Sequence, residues 1–183
     1  MTYTATLFAS RVRNPIKVDV TDAYTLTNAA DPTTNVGTEL LTTFRHGVFS
    51  ATGTYTYVQA READGTQHLD VPLTPRHSVG LIGMWESEQA GRLGLEWYYT
   101  GAQRLEANPY RDESRPYMLF GMLVEKRLGR ARLFLNGENL ANVRQTDWDP
   151  LLRPTRAVDG RWTVDAWAPL DGRNINGGLR LQF

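Results

Sequence analysis

The sequence predicts an all-β protein, an antiparallel up-and-down transmembrane β-barrel of about eight strands that forms part of a larger barrel. Three observations carry that expectation. Apolar and polar residues alternate with a period of two in segment after segment, the pattern of a strand with one apolar and one wet face. The segments exceed the roughly five or six residues of soluble strands and reach the roughly 9–11 that a tilted membrane-spanning strand needs. The connections alternate between short and long, as they do in a barrel with tight turns on one side of a membrane and long loops on the other. A β-sandwich with Greek-key links has no reason to sort its loops by side.

Taken in order, the strands fall at about 2–13, 24–45 with an irregular middle, 48–61, 74–87, 92–105, 115–128, 131–142 and 174–183. No segment has a helical period. The clearest strand runs from Val48 to Val58, where Phe49, Ala51, Gly53, Tyr55 and Tyr57 share one face and Ser50, Thr52, Thr54 and Thr56 the other. From Leu93, the row Leu93, Leu95, Trp97 and Tyr99 opposes Gly94, Glu96, Tyr98 and Thr100, which turns Glu96 to the lumen. Met118 to Val124 is apolar on both faces, and its faces stay unassigned. In 131–142, Ala131, Leu133 and Leu135 oppose Arg132, Phe134, Asn136 and Glu138, with Phe134 a misfit on the polar side. The last strand sets Leu179, Leu181 and Phe183 against Gly178, Arg180 and Gln182 and ends on an aromatic residue. The expected lumen-facing polar residues are Glu39, Glu96, Arg132, Glu138 and Arg180, packed as a salt-bridged network if the barrel is narrow.

Arg45-His46-Gly47, Ser87 to Gly91 and Leu128-Gly129-Arg130 read as tight turns, whereas 62–73, 106–114 and 143–173 read as long loops. Trp85, Tyr98, Tyr99, Tyr110 and Tyr117 lie near strand ends, where interfacial aromatic girdles belong.

Composition removes several classes of function. Twenty basic and twenty acidic residues cancel, so nothing points to nucleic acid or to a polybasic lipid anchor. Cysteine is absent, which excludes thiol catalysis, thiolate metal sites and disulfides. No stretch approaches the roughly 20 apolar residues of a spanning helix. Met1 to Phe8 starts directly in strand alternation, without the features of a signal peptide. An outer-membrane protein needs such a leader, so the expectation is that it was removed or that the chain is the tail of a longer protein.

His46, His68 and His77 are scattered, without a metal-ligand partner at zinc spacing, so no metal and no cofactor is expected. Asp147-Trp148-Asp149 lacks both the opposed geometry of a general acid and base and the spacing of a calcium loop. No nucleophile elbow, phosphate loop or dinucleotide fingerprint occurs, and no enzyme is expected. Loop 143–173 gathers Trp148, Trp162 and Trp167 with Arg144, Arg153, Arg156, Arg161 and Arg173. The leading reading is that these residues fold the loop onto the barrel rim. The functional one makes Arg144, Trp148, Arg153, Arg161, Trp162 and Trp167 a ligand-binding set on an extracellular loop, whose arginines suit an anion such as a metal chelate.

Asn35-Val36-Gly37-Thr38-Glu39-Leu40 resembles the Gly-x-Glu-Leu strand of TonB-dependent outer-membrane receptors. Leu73-Thr74-Pro75-Arg76-His77-Ser78 resembles their Pro-Arg-His lead-in to the next strand, and Leu135-Asn136-Gly137-Glu138-Asn139-Leu140 their Asn-x-x-Asn-Leu element. Ile175 to Phe183 resembles their terminal strand, in which Leu179, Leu181 and Phe183 would be the signal read by the barrel-assembly machinery. The resemblance implies a barrel of about 22 strands closed by a plug, in the bacterial outer membrane, taking up a scarce nutrient such as a metal chelate with energy from TonB. Residues 1–183 would be the C-terminal portion of that barrel, without a plug domain. They would reach TonB only through the missing N-terminal plug region and would not transport alone. Each unpaired edge group costs several kcal/mol in lipid, so strands 2–13 and 174–183 must pair with a longer chain or with each other. The partners implied are outer-membrane lipid, the assembly machinery and an unknown nutrient ligand. Two alternatives stay open, a stand-alone eight-stranded structural or adhesive outer-membrane barrel and a soluble β-sandwich binding module.

Overall fold

The computed structural model describes residues 1–19, 25–64, 67–106 and 108–182. Its strands are β1 (Thr2–Val12), β2 (Ile16–Asp19), β3 (Thr25–Asn28), β4 (Thr33–His46), β5 (Phe49–Asp64), β6 (Gln67–Asp70), β7 (His77–Ser87), β8 (Gly91–Thr100), β9 (Tyr117–Leu128), β10 (Ala131–Glu138) and β11 (Asn174–Leu181). Eight of them form one antiparallel meander in the order β1-β4-β5-β7-β8-β9-β10-β11, with β6 added against β5. These eight are the strands expected from alternation. Phe183 lies outside the described residues.

Three boundaries differ from expectation. The segment 24–45 is two elements, because β3 pairs with β2 in a separate hairpin and Pro32 stands between it and β4. Strand 92–105 stops at Thr100, and 131–142 stops at Glu138 because Asn139 and Asn142 take left-handed backbone conformations with φ of 47° and 57°. Asn139 holds this exit: its Nδ2 donates to the Val143 carbonyl at 2.8 Å, and its Oδ1 accepts from the Val143 amide at 2.9 Å.

Long connections all fall at one end of the sheet and tight ones at the other. The links 13–32, 65–76, 101–116 and 139–173 share the first end, and 47–48, 88–90 and 129–130 the second. Gly47 and Gly129 have φ of 56° and 62°, while Val48 and Arg130 after them do not have positive φ. That combination marks type II′ turns, whose twist suits a two-residue hairpin.

Strand register fixes the faces. Leu133 opposes both Leu179 and Lys126, and Leu135 opposes Val124. Val124 opposes Leu93, which opposes Trp85, which opposes Phe49. This apolar face includes Met118, Phe120, Met122 and Val124 of β9, and Leu119, Gly121 and Leu123 turn the other way. The polar face carries the threonine rows of β1 and β5. Tyr98 and Tyr117 belong to the polar face by the same register, and Tyr110 sits in the loop 101–116, so these three do not join an apolar-face girdle.

Aromatic residues on the polar face have a shared purpose. Phe134 is cross-strand from Gly178, Phe8 from Gly37 and Tyr98 from Gly80. A Cβ at Gly178 or Gly37 would collide with the covering ring, lying 2.8 Å from Phe134 ring carbons at Gly178, and one at Gly80 would lie 2.8 Å from Thr54 Oγ1 and press on the Tyr98 ring at 3.3 Å. The ring fills the gap left by the missing side chain, which accounts for Phe134 among polar neighbours.

β1 pairs only with β4 and β11 only with β10 among the described residues. The sheet is open, as expected of a segment of a larger barrel, and its first and last strands do not pair with each other.

Candidate functional site

The long-loop end is organised by a small core of its own. Leu105, Trp167 and Ala168 are buried there, with Tyr117 and Trp148 packed against them. Gln145, fully buried in a single 3-10 turn at Gln145–Asp147, holds the loop together. Its Oε1 accepts from the Trp167 amide at 2.8 Å and the Ala168 amide at 3.3 Å, and its Nε2 donates to the Asp165 carbonyl at 2.9 Å. Trp148 and Trp167 stack with centroids 5.3 Å apart. Arg111, from the neighbouring loop, lies 5.7 Å over the Trp167 ring and donates to Asp149 Oδ1 at 2.6 Å.

Neighbouring loops are tied in by side chains. Gln103 Nε2 donates to the Trp167 carbonyl at 3.2 Å, and the Gln103 amide donates to Ser114 Oγ at 3.0 Å. Arg104 Nη1 donates to the Asp70 carbonyl at 2.7 Å and to Glu62 at 3.3 Å. Three loops thus behave as one scaffold.

The predicted ligand set therefore divides. Trp148 and Trp167 pack the scaffold, and Arg144 bonds locally to Asp147 through its amide at 3.0 Å. Arg153, Arg161 and Trp162 instead belong to a hairpin spanning 151–164, built on the Leu152–Thr163 bridge, the Arg153 amide to the Trp162 carbonyl, and a turn at Gly160 with φ of 81°. Arg161 donates to both Asp159 and Asp165. The Arg161 amide, its guanidinium and nearby Arg153 hold the Asp159 carboxyl below its ordinary value against the opposing effect of desolvation. Trp162 is 50% exposed with the Arg156 guanidinium 5.3 Å over its ring. The Arg156–Trp162 pair is an exposed cation–π contact at this end.

The five polar residues expected in the lumen share the polar face by register. They do not form a network. Glu39 and Glu96 are separated by two intervening strands, about 14 Å at normal strand spacing, and Arg132 directly opposes Arg180, a like charge. Among the described residues Glu96 accepts only from Tyr98 Oη, at 3.5 Å, and Glu138 only from Asn136, at 3.0 Å. Glu39 and Arg180 enter no ion pair among the described residues. The ion pairs of this face centre on Glu125, which accepts from Arg92 at 3.1 Å and Arg132 at 3.0 Å and is nearly buried. Glu125 continues the polar-face parity of Gly121 and Leu123, a signal hidden by the apolar run before it.

Among the described residues no cluster of three or more His, Cys, Asp or Glu could hold a metal ion. Leu179 and Leu181 lie on the apolar face of β11.

Residues 1–140 match the family model for the TonB-dependent receptor-like β-barrel. Solved structures share the fold across the chain. The ferric-catecholate import receptor Fiu of E. coli K12 aligns with a TM-score of 0.69 at 17% identity over 99% of this chain. A variant of the ferric enterobactin receptor PfeA of Pseudomonas aeruginosa, in complex with enterobactin, aligns at 0.67 and 16% over 97%. The siderophore receptor PiuA of Acinetobacter baumannii aligns at 0.64 and 16% over 97%. The matches cover 25%, 28% and 25% of the Fiu, PfeA and PiuA chains, so this chain spans about a quarter of the length of the receptors it resembles. A comparison with curated protein sequences finds no match.

Proposed function

Because this chain belongs to the TonB-dependent receptor-like β-barrel family, whose members are receptors of the bacterial outer membrane, we propose that it forms the C-terminal wall of a receptor that takes up a metal chelate. One observation carries this reading. β1 and β11 each leave one edge unpaired, and an open edge cannot sit in hydrocarbon. Strands from a longer chain complete the cylinder, and this segment does not transport alone. The polar face, with Glu39, Glu96, Arg132, Glu138 and Arg180, lines the lumen against a plug, and TonB is reached through that plug. Leu179 and Leu181, with Phe183, form the terminal pattern read by the barrel-assembly machinery. Expressed alone and refolded in detergent, the segment is expected to lack the heat-modifiable gel migration of a closed barrel. A heat-modifiable monomer would favour the stand-alone eight-stranded barrel instead.

The ligand reading rests on the 151–164 hairpin. Fiu imports a ferric catecholate and PfeA binds enterobactin. A catecholate chelate is anionic and aromatic, and an arginine over an exposed tryptophan offers charge and a flat apolar face together. In the full-length receptor, Arg156→Ala with Trp162→Ala is expected to weaken ferric-catecholate binding about tenfold or more while surface expression holds. Unchanged affinity would remove the hairpin from the ligand site.

A further inference from the structure

Charges are few on the apolar face, and they are unevenly placed. Along β5 this face runs Phe49, Ala51, Gly53, then Tyr55 and Tyr57, then Gln59 and Arg61. Along β1 it runs Tyr3, Ala5, Leu7, Ala9 and Arg11. Arg11 and Arg61 both oppose Thr34 of β4, which sets them two strand spacings apart, about 10 Å. Both are exposed and enter no ion pair among the described residues. Lys17 of the β2–β3 hairpin reaches the same place, its Nζ donating at 2.7 Å to the carbonyl of Ala63, two residues beyond Arg61. Asp70, opposite Arg61, is occupied by Arg76 at 2.5 Å. Just below, Tyr55 Oη lies 2.9 Å from His77 Nδ1, and the Tyr55 and Tyr57 rings lie 6.1 and 5.2 Å from the imidazole. At the short-turn end the apolar face carries Lys126, and no Lys or Arg stands between it and this cluster among the described residues.

We propose that Arg11, Lys17 and Arg61 form a binding site for the phosphates of an anionic lipid in the outer leaflet. The depth profile supports that occupant. Apolar residues, an aromatic collar and then cations that enter no ion pair among the described residues repeat the order of hydrocarbon, interface and headgroup. Four residues separate Tyr57 from Arg61, about 10 Å of height for a tilted strand, and an arginine bends its guanidinium back toward the interface. A headgroup layer is roughly 5–8 Å thick, so the three cations meet phosphates and not acyl chains. The site rests on the orientation adopted above, with long loops outside.

The test uses the full-length receptor, reconstituted in phosphatidylcholine vesicles doped with bis-phosphorylated lipid A, re-extracted in detergent and analysed for retained lipid by native mass spectrometry. Wild-type receptor is expected to retain lipid A but not its dephosphorylated form. Arg11→Gln with Arg61→Gln is expected to lower retention about 25-fold, at roughly fivefold for each cation near an anionic surface, and Lys126→Gln is expected to leave it unchanged. Equal retention of the dephosphorylated lipid, or no loss in the double variant, overturns the proposal. A loss on Lys126→Gln alone overturns it too, by showing the opposite orientation. Heat-modifiable migration, followed in parallel, reports on the barrel itself and separates failure of this site from failure of the receptor reading.

Discussion

Gly91→Ala is expected to be the most damaging single substitution in the sheet. Gly91 opens β8 with φ of 130°, a conformation that costs a residue with a Cβ about 1–3 kcal/mol in backbone strain alone. A Cβ there would also run into the carbonyl oxygen of Glu125 and lie 3.1 Å from the Lys126 Cα. Backbone atoms of a paired strand cannot step aside as a flexible side chain can. The displaced residue is Glu125, so the damage spreads to its bonds with Arg92 and Arg132. The expected readout is a lower urea midpoint for the detergent-solubilised receptor. Gly83→Ala is the control: a Cβ there meets nothing within 4 Å and φ is not positive, so its midpoint should stay near wild type. Equal midpoints for the two variants would mean that the β8–β9 register is not the one described.

Gln145→Ala is expected to dissolve the loop scaffold while sparing the strands. The substitution strands the amides of Trp167 and Ala168 and the carbonyl of Asp165. Each buried polar group left without a partner costs about 1–3 kcal/mol, and together they exceed what a peripheral loop holds. Hydrogen exchange across 143–173 should rise sharply, with a red shift in tryptophan emission as Trp148 and Trp167 meet water. Gln145→Asn carries the same amide on a shorter stem and reaches only part of these partners, so it should fall between. Wild-type exchange in Gln145→Ala would show that the tryptophan stack holds the loop unaided.

The strands were legible in the sequence because a period of two survives wherever one side meets lipid and the other water. Phe49 to Tyr57 and Leu93 to Tyr99 keep that period, and the register sets each row on the side that alternation assigns it. Met118 to Val124 lost it, because Leu119 and Leu123 put apolar groups on the polar face. Alternation therefore points to isolated charges such as Glu39 and Arg180 and passes over Glu125, which gathers two arginines. Loop 143–173 has no period at all. Its tryptophans read alike, yet Gln145 buries Trp167 and leaves Trp162 outside, a distinction made by hydrogen bonds between residues 20 or more apart in the chain. The small β2–β3 hairpin is hidden in the sequence for a similar reason, since four-residue strands are too short to display alternation.

The ties among the loops carry a mechanical consequence. Arg104 fastens one loop to the β5–β6 hairpin, and Gln103 and Arg111 fasten the same loop to Trp167 and Asp149 of the next. Such a rim resembles a stiff collar more than a set of independent flaps. A cargo held at the exposed Arg156–Trp162 pair, as proposed above, would meet loops already tied to one another, so capture would depend little on reshaping of the vestibule.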